Sequence, residues 1–350
     1  MAGIRIERGT APLWVRLLLP VVATLLTFVL TALLVVLVRA NPLEAYYYFL
    51  IDPLTSRVKT LEVLVKATPL LLTGAAVTFA FVGGYWNIGA EGQLYAGAVA
   101  ATAIGLQVGN LPAWIALPLM LIGGFVAGAL WALTPALLKV KLAIDEVVTT
   151  LLLNSVALFG VSALLNGPWR NPVSQWPQSP DIAASAIFPK IVARSRLHLG
   201  FLLAILVILV LWYVLTQTSL GLRMRAVGLG AEAARFAGIH VERTMLTAAL
   251  VSGGIAGLAG VNEIAGIHYH LIDAISPGYG YTGILIATLG ALNAWGVALA
   301  ALLIGLIDTG AQTVSRVLGV PVYLGDVIQA TLLLVTLGVL LLQRYRIRWG

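Results

Sequence analysis

The polar segment 83–93 lies between two apolar runs and holds the first side chains that could do chemistry. It combines several glycines with Asn87, Glu91 and Gln93. Interrupted backbone at membrane depth is tolerated only where it is buried in protein or lines a cavity, and broken helices mark binding sites in membrane bundles. A helix beginning near Glu91 would point the positive end of its dipole at such a site. The segment predicts a pathway or gate for a polar solute, and a plain turn is the alternative.

A second glycine-rich segment, 218–243, combines charges with a short helical pattern. Residues 231–237 fit a helix with Glu232 in its first turn, Arg235 in its last turn and Gly238 as the C-cap. The alanines of this helix would let it dock closely into a groove. The segment therefore predicts either a docking helix or a solvated loop helix.

Other polar residues stand alone beside apolar runs. Asn262 and Glu263 end one run, Asn154 lies in another, and Asp308 lies inside a third. A buried acid without a partner is costly in a membrane, so each must face a partner or water. We expect Asn154, Asn262 and Glu263 to belong to the pathway and Asp308 to join helices, with purely structural roles as the alternative.

Catalytic and metal chemistry find little support. His268, Tyr269 and His270, followed by Asp273, suit one side of an extended loop, but no further ligand cluster accompanies them. No nucleophile elbow or H-E-x-x-H motif occurs. A nucleotide-binding Walker A loop needs lysine directly after glycine, and no lysine of this chain follows one. We expect neither catalytic residues nor a metal site, and no cofactor bound by this chain.

The elements that must position these residues are transmembrane helices. The 350 residues are 60% hydrophobic and only 10% charged, whereas soluble domains carry about 25% charged residues. About 20 apolar residues span a bilayer core, and the apolar runs predict about ten helices. These are about 17–38, 63–83, 91–108, 112–137, 147–166, 198–217, 244–263, 280–293, 297–315 and 323–342. Paired glycines at Gly124 and Gly128, and at Gly253 and Gly257, predict close helix packing.

Charge placement orients the predicted bundle. An even number of helices puts both termini on one side, and a modest excess of Lys and Arg puts that side in the cytoplasm. We predict a cytoplasmic tail at 1–16, one transmembrane domain at 17–343, and a second tail at 344–350. The longest outer loops are 39–62 and 167–197. The net charge of +7 is scattered and forms no long basic stripe, so lipid is the expected surface partner and nucleic acid is not.

Four stretches in order resemble one family of transport proteins. They are GYWNIGAEGQLYAGAVAA from Gly84, residues Asp145–Asn154, GLRMRAVGLGAEAARFAGI from Gly221, and the long stretch from Gly257 to Gly296. Together they resemble the permease subunits of ATP-binding cassette (ABC) importers in the branched-chain amino acid, ribose and nucleoside group. The longer nucleoside permease chain is the nearest match. Asp145 departs from the family form, which more often begins with Asn-Glu and carries a methionine before the leucine and asparagine.

The resemblance implies an all-α, type II-like ABC importer permease bundle and a division of labour between subunits. The segment 218–243 would be the coupling helix that a separate ATPase moves, and ATP and Mg would bind on that ATPase. Partners would be the ATPase, an extracytoplasmic substrate-binding lipoprotein and a second permease chain, with a heterodimer favoured over a homodimer. The coupling residues would be Gly221, Arg223, Arg225, Gly228, Glu232, Ala233, Ala234, Arg235 and Gly238.

The resemblance therefore implies import of nucleosides, or of a simple sugar, across the cytoplasmic membrane by alternating access. The binding protein would dock on loops 39–62, 167–197 and 264–280. An ion-coupled secondary transporter of a small polar solute is the main alternative, although it has no use for an ATPase-docking helix. A membrane scaffold or receptor is a third class, but a static bundle has little reason to keep glycine-interrupted segments.

Overall fold

Helices make up almost all of the fold in the computed structural model, which describes residues 4–8 and 13–349. The α-helices are α1 Leu13–Leu37, α2 Pro42–Tyr46, α3 Arg57–Val82, α4 Ala90–Gly105, α5 Ala113–Leu142, α6 Glu146–Asn166, α7 Gly200–Gln217, α8 Ser219–Leu229, α9 Ala231–Phe236, α10 Val241–Asn262, α11 Tyr279–Leu289, α12 Ala294–Leu318 and α13 Leu324–Arg344. Two π-helical segments, Tyr47–Ile51 and Glu263–His268, and two short 3-10 turns, Asp52–Leu54 and Ala184–Ala186, complete the helical elements.

Each of the ten predicted segments contains a helix, so the all-α class is confirmed. Of the described residues, six helices are long and apolar enough to cross a membrane, namely α3, α5, α6, α7, α10 with its π-helical continuation, and α12. Of the other predicted spans, α4 has 16 residues and α11 has 11, and α1 and α13 are apolar over Val21–Leu37 and Leu324–Val339 of the described residues. The count of ten spans stays a prediction.

The chain ends lie side by side. Strand β1, Ile4–Arg8, pairs antiparallel with strand β2, Tyr345–Trp349. The predicted tails were not expected to contain strands, and their residues 1–3, 9–12 and 350 lie outside the described part of the chain. The segment predicted as the loop 39–62 is largely helical. Asn41 caps α2, and the ring of Phe49 in the following π-helical segment is fully buried.

The centre of the bundle is built around α3 and α10, the two most buried of the long helices. The predicted glycine pairs pack against each other there, which confirms their role. A side chain at Gly128 would overlap the carbonyl oxygen of Gly253, and one at Gly257 would overlap that of Gly124. Helices α5 and α10 therefore meet backbone to backbone.

Two helices begin inside the bundle. After α3 ends, the loop 83–89 turns back along the helix. Ser252 accepts a hydrogen bond from Asn87 and donates one to the carbonyl oxygen of Ala76, so Asn87 lies level with Ala76. Ala76 is six residues before the end of α3, which corresponds to about 9 Å along the helix. The amide nitrogen of Gly280, at the start of α11, lies 2.7 Å from a carboxyl oxygen of Glu91. Helices α4 and α11 thus start at depth and touch at their first turns.

Candidate functional site

Asn87 is the centre of a buried set of hydrogen bonds at the start of α4. Its Nδ2 donates to Ser252 Oγ on α10 and to Gln93 Oε1 on α4, both at 2.8 Å. Its Oδ1 accepts from Gly89 N at 2.9 Å and from Gln93 Nε2 at 3.0 Å. Ser252 donates onward to the carbonyl oxygen of Ala76 on α3 at 2.6 Å. The side-chain amide of Asn87 therefore links the loop 83–89 to α4 and α10 directly, and to α3 through Ser252.

Asn154 attaches the same loop to α6 and α11. Its Nδ2 donates to the carbonyl oxygen of Ile88 at 3.0 Å and to the hydroxyl of Tyr281 at 3.2 Å. Its Oδ1 accepts from the amide of Gly92 at 2.8 Å. The amide of Ile88 donates to Thr150 Oγ1 at 3.3 Å. We call Asn87, Gln93, Thr150, Asn154 and Ser252 the loop cluster.

Glu91 caps a helix other than its own. Its Oε2 accepts the amide of Gly280 at 2.7 Å, so the carboxylate lies at the positive end of the α11 dipole as well as in the first turn of α4. The neighbouring Tyr95 hydroxyl donates to the carbonyl oxygen of Asp273, in the segment that leads to α11, at 2.9 Å. These bonds fix the start of α11 against α4.

The structure thus brings together four of the residues expected in the pathway, Asn87, Glu91, Gln93 and Asn154, and buries all of them. Sequence reasoning missed three partners, Ser252, Thr150 and Gly280. Thr150 and Gly280 lie within stretches that resemble the family, but no local pattern marked any of the three as a partner, because each is a small residue inside or beside an apolar helix. Their roles come from long-range packing alone.

Asn262 and Glu263 lie in a separate place, which we call the acidic cluster together with His268. Glu263 begins the π-helical segment that continues α10, and single π-turns are frequent at functional sites. Its Oε1 lies 3.4 Å from Asn262 Nδ2, and its Oε2 lies 3.6 Å from His268 Nε2. The structure places His268 in this π-helical segment, so the expected extended arrangement of His268 and His270 is not found. His270 pairs instead with Asp181 at 3.0 Å.

Lys66 on α3 is near enough to act electrostatically on both Glu263 and Asp308. Asp308 itself accepts a hydrogen bond from Gln329 on α13. This bond links α12 to α13, which is the kind of contact that the interhelical role expected for Asp308 requires.

Two buried polar atoms in or next to the acidic cluster have no hydrogen-bond partner among the described residues, Oδ1 of Asn262 and Nε2 of His198. Both side chains approach Gly200 and are almost fully buried. The Nδ1 of His198 accepts from the amide of Gly200 at 3.2 Å, which leaves Nε2 as the protonated nitrogen. Burial, and then the charge of Arg196, lowers the pKa of His198 from 6.5 to about 4, so the ring is neutral.

The segment 218–243 folds as α8 and α9. Gly221 and Ala234 are buried, while the other expected coupling residues are exposed, namely Arg223, Arg225, Gly228, Glu232, Ala233, Arg235 and Gly238. Arg225 donates to the carbonyl oxygen of Leu215 at the end of α7, and Arg235 pairs with Glu232 at 3.0 Å. Leu229, the last residue of α8, and Phe236, the last residue of α9, are 91% and 93% exposed. This apolar exposure was not predicted.

Comparison with known proteins explains the arrangement. Residues 59–337 match the model of a family described as branched-chain amino acid transport system / permease component. The chain belongs to this permease family. It is 37% identical to the glucose ABC transporter permease protein TsgB13 of Haloferax volcanii over 97% of this chain and 92% of that one. It is 34% identical to the guanosine ABC transporter permease protein NupP of Bacillus subtilis, over 91% of this chain and 92% of that one.

The same bacterium has a second similar protein. The guanosine ABC transporter permease protein NupQ is 28% identical over 69% of this permease and 78% of its own length. The resemblance to ABC permeases is therefore confirmed, and the permease is an integral membrane protein. Membership implies an ATPase and a substrate-binding protein as partners.

Proposed function

We propose that this permease forms half of the translocation unit of an ABC importer for nucleosides or a simple sugar. The domain 17–343 would cross the cytoplasmic membrane about ten times, with both tails in the cytoplasm. The chain would hold no nucleotide, so ATP and Mg would act on the separate ATPase. Relatives named for glucose and for guanosine support this substrate range.

The observation that carries the proposal is the exposed apolar side chains at the ends of α8 and α9. Apolar side chains as exposed as Leu229 and Phe236, at the ends of two short helices, favour a protein contact. A groove lined by residues 235 and 238–243 adjoins Phe236. This surface fits a cytoplasmic ATPase, and the permease would receive the ATPase movement through it.

The second permease chain would be a related but different protein. The existence of both NupP and NupQ in one bacterium supports such a pair. The substrate-binding protein would dock on the opposite end, on residues 39–62, 167–197 and 264–280. Val173 and Trp176 in that region are 92% and 70% exposed, which suits a docking surface.

The loop cluster and the acidic cluster would form the pathway at different depths. Asn87, Glu91, Gln93 and Asn154 would hold the closed gate, since they join helices that must separate in alternating access. Asn262 and Glu263 would meet the hydroxyl groups of the solute, because they have hydrogen-bonding capacity left over.

The experiment is co-purification and uptake with paired variants. Phe236→Asp should release the ATPase and lower ATP-dependent uptake at least tenfold, because it places a charge in the apolar contact. Val173→Asp changes an equally exposed side chain at the other end and should leave the ATPase bound. Charge reversal at Glu232 (Glu232→Arg) should weaken coupling without blocking membrane insertion.

Two results would contradict the proposal. One is retention of the ATPase by Phe236→Asp with normal uptake. The other is uptake that continues without ATP and stops when the ion gradient is collapsed, which would select a secondary transporter. Competition of labelled guanosine uptake by unlabelled glucose, and the reverse, would separate the two substrate classes.

A further inference from the structure

The loop 83–89 touches the segment 218–243 through two glycines. Gly84 has a backbone φ of +73°, and a Cβ placed on it would lie 3.1 Å from Gly228 Cα. A Cβ on Gly228 would overlap the carbonyl oxygen of Val82 at the end of α3. Met224 of α8 is fully buried, and its methyl group faces Gly83. At Gly84 and Gly228, helix α8 therefore meets the loop backbone to backbone, with no side chain between these two residues.

The other end of this loop is held by hydrogen bonds to three helices, one of which is ion-paired to a fourth. Asn87 bonds to Ser252 on α10 and to Gln93 on α4, and Ile88 bonds to α6 through its amide and its carbonyl. The amide of Trp86 lies 3.4 Å from Glu146 Oε1. Glu146 pairs with Lys139 at the end of α5 at 2.6 Å, which adds the fourth helix.

The contact then reaches α11 through the first turn of α4. Asn154 bonds to Gly92 and to Tyr281, and Glu91 accepts from Gly280. A displacement of α8 cannot be absorbed by side-chain rotation at Gly84 or Gly228, because glycine has no side chain. It has to move the loop, and the loop is bonded to the helices that begin inside the bundle.

We propose that the Gly84–Gly228 contact transmits movement of α8 to the loop 83–89, and through it to α4, α6 and α11. Gly84 and Gly228 are then positioning residues for coupled transport, and Asn87 distributes the movement among the helices. This inference rests on the proposed function, since it needs a partner that moves α8. It adds the route by which that movement reaches the gate.

The test measures uptake and ATP hydrolysis together, in proteoliposomes containing the complete transporter. Gly228→Ala adds one methyl group at the contact and should separate α8 from the loop. We expect uptake to fall at least tenfold while ATP hydrolysis stays within twofold, so the solute moved per ATP falls at least fivefold. Gly230→Ala is the matched control, because its added Cβ would meet only the Ala233 methyl group, at 3.8 Å.

Ser252→Ala tests the far end of the same route without adding bulk. It removes the bond from Asn87 to α10 and should also lower the solute moved per ATP, by a smaller factor than Gly228→Ala. This variant decides the question if Gly228→Ala does not reach the membrane. Amide hydrogen exchange of residues 83–93 should change when ATP and Mg are added to the wild-type complex, and should not change in Gly228→Ala.

A normal ratio of uptake to hydrolysis in both Gly228→Ala and Ser252→Ala would overturn the route and leave the proposed function standing. An equal loss of uptake and hydrolysis in the two variants would also overturn it, because that result indicates a folding defect. Absence of ATP-dependent uptake by the wild-type complex would overturn the proposed function itself.

Discussion

The loop cluster and the acidic cluster are both buried and polar, but they are built from different chemistry. The loop cluster uses neutral amides and hydroxyls, and both its Asn87–Ser252 and its Asn154–Gly92 bonds are 2.8 Å long. The acidic cluster places the Glu263 carboxyl 3.4 Å from the amide of Asn262 and 3.6 Å from the imidazole of His268, and the Oδ1 of the same Asn262 has no partner among the described residues.

This difference indicates that the two clusters have different roles. A fully bonded polar network is rigid, and it fixes one arrangement of the elements that it joins. An unpaired buried polar atom costs about 1–3 kcal/mol and persists where water or a ligand can complete it. We therefore expect the loop cluster to behave as a joint between helices and the acidic cluster to behave as a place where a solute is bound.

The largest effect should come from breaking the joint at Asn87. Asn87→Ala removes two donated and two accepted bonds, leaves the buried amide of Gln93 and the backbone amide of Gly89 without a partner, and leaves Ser252 with only its bond to Ala76. We expect the free energy of unfolding to fall by about 3 kcal/mol, because several unpaired groups each contribute. Thermal unfolding in detergent and solute uptake should both show the loss.

Asn166→Ala is the control for this comparison. Asn166 is exposed and bonds only within its own helix, to Ser162. Its replacement should change the free energy of unfolding by less than about 0.5 kcal/mol. If the two variants unfold alike, Asn87 is not a joint.

The cap at Glu91 should be the next largest effect. Glu91→Ala leaves the buried amide of Gly280 without an acceptor, and a bond to a charged group contributes about 1.5–3 kcal/mol. Glu91→Gln keeps an acceptor oxygen and should recover more than half of the lost stability and uptake. Equal loss in both variants would show that the charge itself is required, as expected for a solute contact.

How far the sequence led can be judged from these same residues. The apolar runs located the helices because each must face lipid or the core, and the glycine pairs Gly124/Gly128 and Gly253/Gly257 do pack together. Helix α3 is capped by Ser56 and begins at Arg57, whereas the sequence predicted a start near residue 63. The charged residues at 57–62 resemble a loop in sequence, but a helix can carry them at a membrane interface.

The partners of the candidate site residues could not be predicted. The Asn87–Ser252 bond joins residues 165 positions apart, and the Glu91–Gly280 bond joins residues 189 positions apart. A lone serine in an apolar helix has no periodicity or charge to mark it. The π-turn at Glu263 likewise had no sequence pattern that predicted it.

A smaller effect should appear at His198, which lies before α7 and beside the acidic cluster. Its pKa is about 4 in the fold and about 6.5 when unfolded, so the unfolded chain binds more protons between these values. The contribution of His198 to stability should therefore fall as the pH drops from about 6.5 towards 4, by about 2 kcal/mol at pH 5 relative to pH 7.5. Thermal unfolding at the two pH values measures this loss.

His198→Gln should remove most of that pH dependence. The matched control is His240→Gln, because His240 is exposed and its replacement should leave the pH profile as in the wild type. An unchanged profile in His198→Gln would mean that the imidazole is not desolvated in the way that its burial implies.

The smallest effect on stability should come from Glu263, and this outcome completes the comparison. Glu263→Gln keeps the shape and an acceptor for Asn262 but removes a buried charge, and burying an amide costs less than burying a carboxylate. We expect the free energy of unfolding to change by less than about 1 kcal/mol, or to rise. If the acidic cluster meets the solute, KM for uptake should nevertheless rise several-fold with little change in the maximal rate. A variant that is destabilised as much as Asn87→Ala, with KM unchanged, would make the acidic cluster a second joint and would remove the distinction between the two regions.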